Sequence, residues 1–525
     1  MAMKITRRQA LKAGAAGVVL TSPIGIAPKF IRSARAAGLA EGMTGGPTGF
    51  EGAERYQYNE TMSEGRAVEG IRKLKAEGKA PEKLSILMTD GAIGHFTNPW
   101  PPDGPTLQSI WEAETGVKLE FIPVSPEEQF NKVIQDVTTG SAAYDVYTFG
   151  YAAMGDLSEA NGIAPLGEWI EKHGADFADP QRGMPTPESY DMLYKYGGEP
   201  RSVCYDGDAQ VWVYRRDLTE DPANQKEFGD KYGWEIGPPR TWGECDQLAE
   251  FFTSKGMLGN GNMMSHFWGI STWYNRYVSK DNPNQHLFDD EGNPLIDTDA
   301  GIQATEEHVK SLDWSDKGGL GWSWPEYYGN MANGNSFMLG TFSNCPKFLD
   351  NSETAIGGKM GSFLPPGHQF GNDLVRRSTI YLGNNGGVST QSEYQEAAYL
   401  WLQWSGSTRI FSLLTGNPGG FFDPFQLANF QDPLVIQSYK PYHVPIIEGT
   451  VARAVPTIAI PGQFAMHNTL SENLVAALAG EITSQEAMEN TAKSWRKHIR
   501  KKGEDKMTEL INAAKSGWST VIDQA

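Results

Sequence analysis

Short apolar segments alternate with helical segments over the first part of the chain, and this alternation limits the possible folds more than any other feature. The stretches KLSILM, VKLEFIPV and YDVYTF predict strands, whereas residues 106–115 and 126–139 have the spacing of amphipathic helices. Short strands separated by helices of this length form βαβ units around a largely parallel sheet. The sequence therefore predicts an α/β protein.

The first 36 residues have the three parts of an export signal. A basic start containing Arg7 and Arg8 precedes a weakly apolar stretch, and the small-residue motif at 34–36 provides a cleavage site. Adjacent arginines are typical of the bacterial twin-arginine signal, which a receptor reads as an address. We predict that residues 1–36 are removed and that the mature protein is periplasmic.

The acidic composition excludes several classes of partner. The 525 residues include 45 lysines and arginines against 64 aspartates and glutamates, which gives a formal net charge of −19. Such a field repels phosphate backbones and anionic lipids, so we expect neither nucleic acid nor a membrane surface as a partner. The length allows two or more domains, and we expect the protein to be a monomer.

No motif in the sequence indicates a cofactor, a metal site or a catalytic centre. The three cysteines, Cys204, Cys245 and Cys345, lack metal-binding spacing, and FDDEGNPLID lacks the alternating oxygen ligands of a calcium loop. Nucleophile-elbow, zinc and nucleotide-loop patterns are absent as well. We therefore expect no enzyme, cofactor or metal, although the many acids leave open a carbohydrate-active enzyme with paired carboxylates.

A series of loose motifs runs through the chain in a recognisable order. They are WEAETGVKLEF, FNKVIQDVTTGSAAYDVYTFGYAAMGDLSEANGIAPL, VWVYRRDL, PPRTWGECDQLAE, SFMLGTFSNCPKF, MGSFLPPG, GGVSTQSEYQEAAYLWLQW and ALAGEITSQEAMENTAKSW. Their order resembles the extracellular solute-binding proteins of family 1, the carbohydrate receptors of ABC importers that maltose-binding protein typifies. The resemblance implies a two-lobe periplasmic binding protein fold, with a ligand cleft between the lobes and a hinge of crossing segments. It also implies delivery of the solute to a membrane permease.

The resemblance also divides the chain into parts. After the signal peptide, residues 37–80 form an N-terminal extension that begins as a loose arm. The first lobe is expected from residues 81–205 and 366–412, and the second from residues 206–365 and 413–525. Both lobes are discontinuous, and the loops that follow their strands should face each other across the cleft.

Five candidate ligand-binding residues lie at predicted strand ends. Asp90 ends the first strand, and Phe149 and Tyr151 lie at the end of the third. Asp206 and Asp208 precede VWVYRRDL, where the resemblance implies an acidic ligand residue. Carboxylates bind sugar hydroxyls and aromatic rings cover C–H faces, and we expect Asp90 and Asp206 to meet the solute from opposite lobes. Alternatively, Asp90 belongs to a turn and the two aromatic residues begin a packed helix.

The other five candidates follow in the second half of the chain. Trp268 and Trp273 crowd a segment with little periodicity, although core tryptophans would give the same pattern. Asn344 and His467 lie where the resemblance implies the stacking tryptophans of maltodextrin receptors, which favours a smaller sugar or a polyol. A structural histidine is the alternative for His467. Asn384 precedes two glycines, so it either binds the solute or supports a backbone conformation.

The expected ligand is thus a sugar, a short oligosaccharide or a polyol. A receptor of the same fold for a peptide, a metal chelate or a phosphodiester remains open. An anionic cargo would need arginines or helix N-termini, whereas the candidate loops carry mainly acids and amides, with Arg201 and Arg276 as exceptions.

Overall fold

The structure is a computed structural model that describes residues 38–99, 104–179, 181–183, 193–351, 353–380, 383–457 and 459–525. The predicted signal peptide, with Arg7 and Arg8, lies outside the described residues. The chain divides into two compact units, Met1–Gln57 and Tyr58–Ala525. In the first unit, Gln57 accepts from Ala40 N at 2.8 Å and donates to Pro47 O at 3.0 Å, which ties the described part together.

A five-stranded sheet, here called the first sheet, belongs to the second unit. In spatial order its strands are Lys118–Val124, Lys83–Thr89, Val146–Gly150, Asn384–Val388 and Val203–Asp206. The first three are parallel, as the βαβ pattern predicts, and the helices Leu107–Thr115 and Pro126–Thr139 lie between them in the chain. Asn384–Val388 runs antiparallel to both of its neighbours. The predicted α/β class is confirmed.

The two connecting helices begin and end where the sequence signals it. Thr106 caps the first helix, because its hydroxyl oxygen accepts from Ser109 N at 2.9 Å. Pro126 opens the second helix, at a position where its missing N–H costs no hydrogen bond. Gly116 and Gly140 end the helices with φ of 68° and 66°, a left-handed conformation that glycine adopts without strain. Short, well-defined helices of this kind bring successive strand ends to one edge of the sheet.

A four-stranded sheet, here called the second sheet, lies in the same unit. Its strands are Met360–Phe363, Gln210–Arg215, Ser336–Phe342 and Leu258–Asn260 in spatial order. Every residue of Ser336–Phe342 is buried, which explains why its sequence, SFMLGTF, contains no charged residue. The helix Trp242–Ser254 begins with a capping box between Thr241 and Glu244 and packs its apolar side on this sheet.

Crossing segments connect the two sheets and form a hinge. Residues 207–209 join the last strand of the first sheet directly to Gln210–Arg215 of the second. Ser378–Ile380 pairs in parallel with Ala454–Pro456 beside this link. The Ser378 hydroxyl accepts from Gln210 N at 2.9 Å and donates to Gln210 O at 3.0 Å. The predicted hinge of crossing segments is therefore present.

The observed strand pairing disagrees with the lobe boundary predicted at residue 366. Strands Gly367–Phe370 and Asp373–Arg376 form a small sheet with Asp523–Gln524. Residues predicted for the first lobe thus pair with residues predicted for the second. This pairing favours a crossing near Arg377 instead of residue 366, and the other lobe boundaries stay a prediction.

Helices surround the two sheets. Besides those already given, they are Ser63–Ala76, Asp90–Thr97, Met154–Glu159, Gly167–His173, Arg216–Thr219, Pro222–Tyr232, Gly269–Val278, Asp299–Lys310, Trp324–Ala332, Cys345–Leu349, Gln395–Gly406, Thr408–Gly416, Leu427–Gln431, Pro433–Tyr439, Val444–Val451, Gln463–Leu478, Ser484–Lys502 and Glu504–Lys515. A short strand pair joins Lys195–Tyr196 to Glu199–Pro200. Ser63–Ala76, from the predicted N-terminal extension, packs against Gln395–Gly406. Within the described ranges, no helix has the length and apolar character needed to cross a bilayer.

Candidate functional site

A cavity of about 300 Å³ lies between elements of the two sheets and the hinge. Its walls come from loops after first-sheet strands, from the crossing segment and from helices near the second sheet. The lining residues are Thr89, Asp90, Gly91, Ala92, Pro126, Gln129, Phe130, Gly150, Ala152, Ala153, Asp206, Asp208, Phe267, Trp268, Trp324, Tyr328, Phe342, Asn344, Asn384, Phe421, Phe422, Phe464 and His467. The cavity thus has the position that a cleft between two lobes would have.

Three buried carboxylates, here called the acidic cluster, meet at one wall of the cavity. Asp206, Asp208 and Asp423 each offer an oxygen within 4.8 Å of the others. Asp206 Oδ1 accepts from the backbone N–H of Asp423 at 2.9 Å. The carboxylate of Asp423 accepts from the Ser343 hydroxyl and, at 3.1 Å, from Asn344 Nδ2. Asp206 and Asp208 line the cavity, so the cluster can accept hydrogen bonds from a solute or hold a cation.

Burial shifts the pKa values of these groups. It raises the pKa of both Asp206 and Asp208 well above the usual range, and the neighbouring carboxylates add to the rise. Burial also raises the pKa of Asp423 to about 6, although the Ser343 hydrogen bond and the Lys347 charge oppose this rise. Burial lowers the pKa of Lys347 to about 7, and its Nζ donates to Thr415 O at 2.9 Å. The three carboxyl groups of the acidic cluster therefore have one lysine beside them.

Replacing Asp208 with asparagine should stabilise the unliganded protein. An aspartate in an unfolded chain has a pKa of about 3.9, whereas burial raises the pKa of Asp208, so ionisation at neutral pH disfavours the folded state. That penalty is present above the raised pKa and disappears as the pH falls toward the unfolded value. Asparagine keeps the side-chain shape and tolerates the left-handed backbone at this position, where φ is 47°.

Calorimetry of the wild type, Asp208→Asn and the exposed control Asp313→Asn at pH 8 and pH 5 measures this effect. We expect Asp208→Asn to melt a few degrees above the wild type at pH 8, with a smaller difference at pH 5. Buried histidines such as His95 and His308, whose pKa burial lowers to about 3, destabilise all three proteins alike at low pH. A lower melting temperature for Asp208→Asn at pH 8 would contradict the prediction.

Aromatic rings form much of the remaining wall. Trp268, just before the helix Gly269–Val278, packs edge-on against Phe342 with ring centroids 6.0 Å apart. Trp324 packs edge-on against Tyr328 at 5.4 Å and against Phe421 at 5.1 Å. Such rings can cover the apolar face of a solute whose polar rim meets the carboxylates.

Seven of the ten sequence-predicted residues line the cavity, namely Asp90, Asp206, Asp208, Trp268, Asn344, Asn384 and His467. Asp90 opens the helix Asp90–Thr97, directly after the first strand. Asp206 ends a strand of the same sheet, so the expectation that Asp90 and Asp206 come from opposite lobes is wrong. His467 is neutral, because burial lowers its pKa to about 3, and its Nε2 lies 2.7 Å from Thr457 Oγ1.

Phe149 and Tyr151 do not line the cavity. Phe149 lies within the central strand Val146–Gly150, and its ring packs beneath Gly387 of the neighbouring strand. Tyr151 begins the short 3-10 helix Tyr151–Ala153 with its side chain buried, while the residues on either side of it line the cavity. Both side chains are buried; Tyr151 begins a short helix, as the alternative interpretation expects, whereas Phe149 lies in a strand instead.

Trp273 is also absent from the cavity wall. It has no exposed surface and lies among the helices Gly269–Val278, Asp299–Lys310 and Gln463–Leu478. Its ring stacks on Tyr277 at 4.9 Å, and Nε1 donates to Thr305 Oγ1 at 2.9 Å. Trp273 is therefore a core residue.

The sequence-based candidates omit Asp423 of the acidic cluster and several lining residues. Asp423 follows NPGGFF, an irregular run of glycines and aromatic residues that resembles the segment around Trp268. Trp324 lies in a similar Gly- and Trp-rich segment. Gln129 carries no such signal, since it looks like any polar residue of the helix Pro126–Thr139.

Beside the cavity, direct contacts join the side of the first sheet to the side of the second sheet, here called the two halves. Phe130, from the first-sheet side, stacks on Phe464 of the helix Gln463–Leu478 with centroids 4.3 Å apart. Asp156 Oδ1 accepts from Gly462 N at 2.7 Å. Gly155 packs directly on the backbone of Ile460, where an added Cβ would lie 2.7 Å from the carbonyl oxygen and 2.9 Å from Cα. The two halves are thus in close contact in this structure.

Comparison with protein families gives one match over most of the chain. The family described as bacterial extracellular solute-binding protein matches residues 98–409. A curated relative, the probable amino-acid ABC transporter periplasmic-binding protein of Sinorhizobium fredii, is 23% identical over 418 residues. That alignment covers 76% of this chain and 86% of the relative.

Solved structures of similar fold include three that contain a sugar or a polyol. The maltose-bound MalE3 of T. maritima has a TM-score of 0.65 at 18% identity, covering 79% of this chain and 99% of its own. A ribitol complex from Agrobacterium radiobacter K84 has a TM-score of 0.64 at 16% identity, with coverages of 79% and 98%. A D-mannitol complex from Agrobacterium vitis S4 has a TM-score of 0.62 at 16% identity, with coverages of 80% and 99%. All three have the two-lobe periplasmic binding protein fold.

Proposed function

The chain belongs to the bacterial extracellular solute-binding proteins, and we propose that this solute-binding protein of an ABC importer binds a sugar, a short oligosaccharide or a polyol. The observation that carries the proposal is a cavity that combines carboxylates and amides with aromatic faces. Hydroxyl groups donate to the former, and the C–H faces of a sugar or polyol pack on the latter. The family and fold are those of substrate-binding receptors, not of enzymes.

We assign the binding role to the cavity-lining residues. Asp90 and Gln129 would meet the solute from the first-sheet side, Asp206 and Asp208 from the hinge, and Trp268 from the other side. Because groups from both halves surround the cavity, the solute would favour the closed arrangement over an open one. The closed protein would then deliver the solute to the membrane permease.

The proposal extends to the cellular route. The resemblance of residues 1–36 to a twin-arginine signal supports export to the periplasm, and the family is an exported one. The excess of acidic residues supports a monomer without nucleic-acid or membrane-surface partners.

A thermal-shift panel tests the proposed ligand class. A ligand that binds only the folded state stabilises it by RT ln(1 + [L]/Kd), about 2.7 kcal/mol at a hundredfold excess over Kd. We expect ribitol, D-mannitol, D-tagatose, maltose or their short homologues to raise the melting temperature, and the bound compound to be recovered chemically unchanged. Stabilisation by amino acids, peptides or phosphodiesters alone would end the sugar and polyol proposal, and turnover would favour an enzyme.

The name of the Sinorhizobium fredii relative favours a second candidate, an amino acid. An amino acid needs a partner for its carboxylate as well as for its ammonium group. Among the described lining residues the cavity has no lysine or arginine, which also weighs against a phosphodiester. Arg201 and Arg276, which kept the anionic alternative open, pair with Glu199 and Asp246 and lie outside the cavity wall.

A further inference from the structure

The charge of the acidic cluster is not balanced by the described residues around it. Asp206, Asp208 and Asp423 are all at least nine-tenths buried, where an ionised carboxylate needs a positive partner or several hydrogen bonds. The charge of Lys347 acts on Asp423. The Nζ of Lys347, however, donates to the carbonyls of Thr415 and Phe422, at 2.9 and 3.5 Å. Ionisation of all three carboxyls would leave an excess of negative charge beside the cavity, and a positive group on a solute would offset it.

Asp208 is the member of the cluster with the fewest hydrogen-bond partners among the described residues. Its carboxylate lines the cavity, with the backbone N–H of Gly383 beside it, and among the described residues it forms no ion pair. Asp206, by contrast, already accepts from Asp423 N, and Asp423 accepts from Ser343 and Asn344. A positive group on the solute would therefore meet Asp208 first.

A second observation on the same cavity also points to a donor-rich solute. Gln129 is 3% exposed and lines the cavity, and its Nε2 donates to Thr148 Oγ1 at 2.8 Å. Its Oε1 has no hydrogen-bond donor among the described residues. An ammonium group offers three N–H donors, whereas a hydroxyl offers one, so the carboxylates of Asp206 and Asp208 suit an ammonium group and Gln129 suits a hydroxyl of the same solute.

The aromatic wall suits a cation as well. Trp268, Trp324 and Tyr328 line the cavity together with the acidic residues. The faces of such rings carry negative charge density and attract an ammonium group within about 6 Å. A neutral polyol would use only the apolar character of these rings.

Resting on the proposed function, we propose that the solute is a sugar or polyol that carries a protonated amine, held by Asp208 and Asp206. The amine lies at the hinge and the hydroxyl chain extends toward Asp90 and Gln129. A bound divalent metal fits less well, because it takes six to eight oxygens and most oxygens of Asp206 and Asp423 already accept hydrogen bonds.

Matched pairs of compounds test the proposal. Isothermal titration at pH 7.5 compares D-glucamine with D-sorbitol, and D-glucosamine with D-glucose, on the mature protein. We expect the amine of at least one pair to bind tenfold or more tightly than its hydroxyl counterpart. Asp208→Asn should reduce this preference to less than threefold, while Asp313→Asn, an exposed acid, should leave it unchanged.

Each contrary outcome has its own meaning. Equal or tighter binding of the hydroxyl members overturns the amine proposal and leaves the proposed function intact. Binding of putrescine without any of the hydroxylated compounds contradicts both proposals. Stabilisation by CaCl₂ alone, lost in Asp208→Asn, replaces the amine with a metal ion. An amine preference that survives in a folded Asp208→Asn variant contradicts the assignment to this carboxylate.

Discussion

Replacing Trp273 with alanine should lower the free energy of unfolding by about 3–5 kcal/mol and leave the intrinsic solute affinity of the folded protein unchanged. The ring is completely buried between helices, stacks on Tyr277 and donates to Thr305, so truncation leaves a large cavity and an orphaned hydroxyl partner. Urea unfolding gives the stability, and titration of the folded variant gives the affinity. Trp273→Phe, which keeps a ring, should lose clearly less stability.

Trp268→Ala is the matched comparison. Trp268 lines the cavity, and its removal should weaken solute binding by roughly 2 kcal/mol, as for an aromatic anchor, or about 30-fold. Its stability loss should be smaller than that of Trp273→Ala, because one side of the ring faces the cavity. A large loss of affinity in Trp273→Ala together with none in Trp268→Ala would reverse the assignment of the two tryptophans.

Gly155→Ala should reduce solute affinity by about 5–150-fold, which corresponds to an overpacking cost of about 1–3 kcal/mol. The added methyl carbon has no room against the backbone of Ile460, and backbone cannot rotate away as a side chain can. Gly155 lies inside the helix Met154–Glu159, where alanine is favoured over glycine by about 0.5–1 kcal/mol. The unliganded protein should therefore keep its stability, because separation of the two halves removes the clash with Ile460.

Gly167→Ala is the control for this prediction. Gly167 also lies in a short helix, Gly167–His173, but an added Cβ there meets no atom within 4 Å. Titration with the polyol that gives the largest thermal shift measures affinity in both variants, and small-angle scattering measures opening. Equal affinities in Gly155→Ala and Gly167→Ala would argue against a closed state that depends on this contact.

Local sequence patterns predicted the fold well where periodicity was clear. The helix Pro126–Thr139 has the bounds that its opening proline, first-turn acids and closing glycine indicate. The direction of the antiparallel strand Asn384–Val388 is harder to predict, because its pairing partners lie more than 170 residues away and nothing local specifies that direction. Local patterns define elements, whereas long-range pairing depends on the complete core.

The sequence carries a signal that separates the two tryptophans. Ile270, Trp273, Tyr274, Tyr277 and Val278 recur at the spacing of one helix face, and this face packs into a hydrophobic core. Trp268 precedes the helix and belongs to a different cluster. Helical spacing within a segment of mixed polarity therefore indicates packing for Trp273, although all of its neighbours are buried as well.

The sequence indicated two of the three residues of the acidic cluster. Asp206 and Asp208 are two residues apart and stood out before the crossing strand, whereas Asp423 lies more than 200 residues later. The fold brings the three together through a backbone N–H of Asp423 that donates to Asp206. Spacing within a sequence cannot reveal such a meeting.

Under the proposed function, the position of Asp206 and Asp208 at the hinge would separate occupancy of the receptor from its signal to the transporter. Contacts made at a hinge would be available whether the two halves are apart or together, so they would hold a solute without favouring either arrangement. Only contacts that reach both halves, such as those proposed for Asp90 and Trp268, would reward closure. A small molecule that satisfies the hinge acids alone would therefore occupy the receptor in its open state, and would act as a competitor of uptake instead of a cargo.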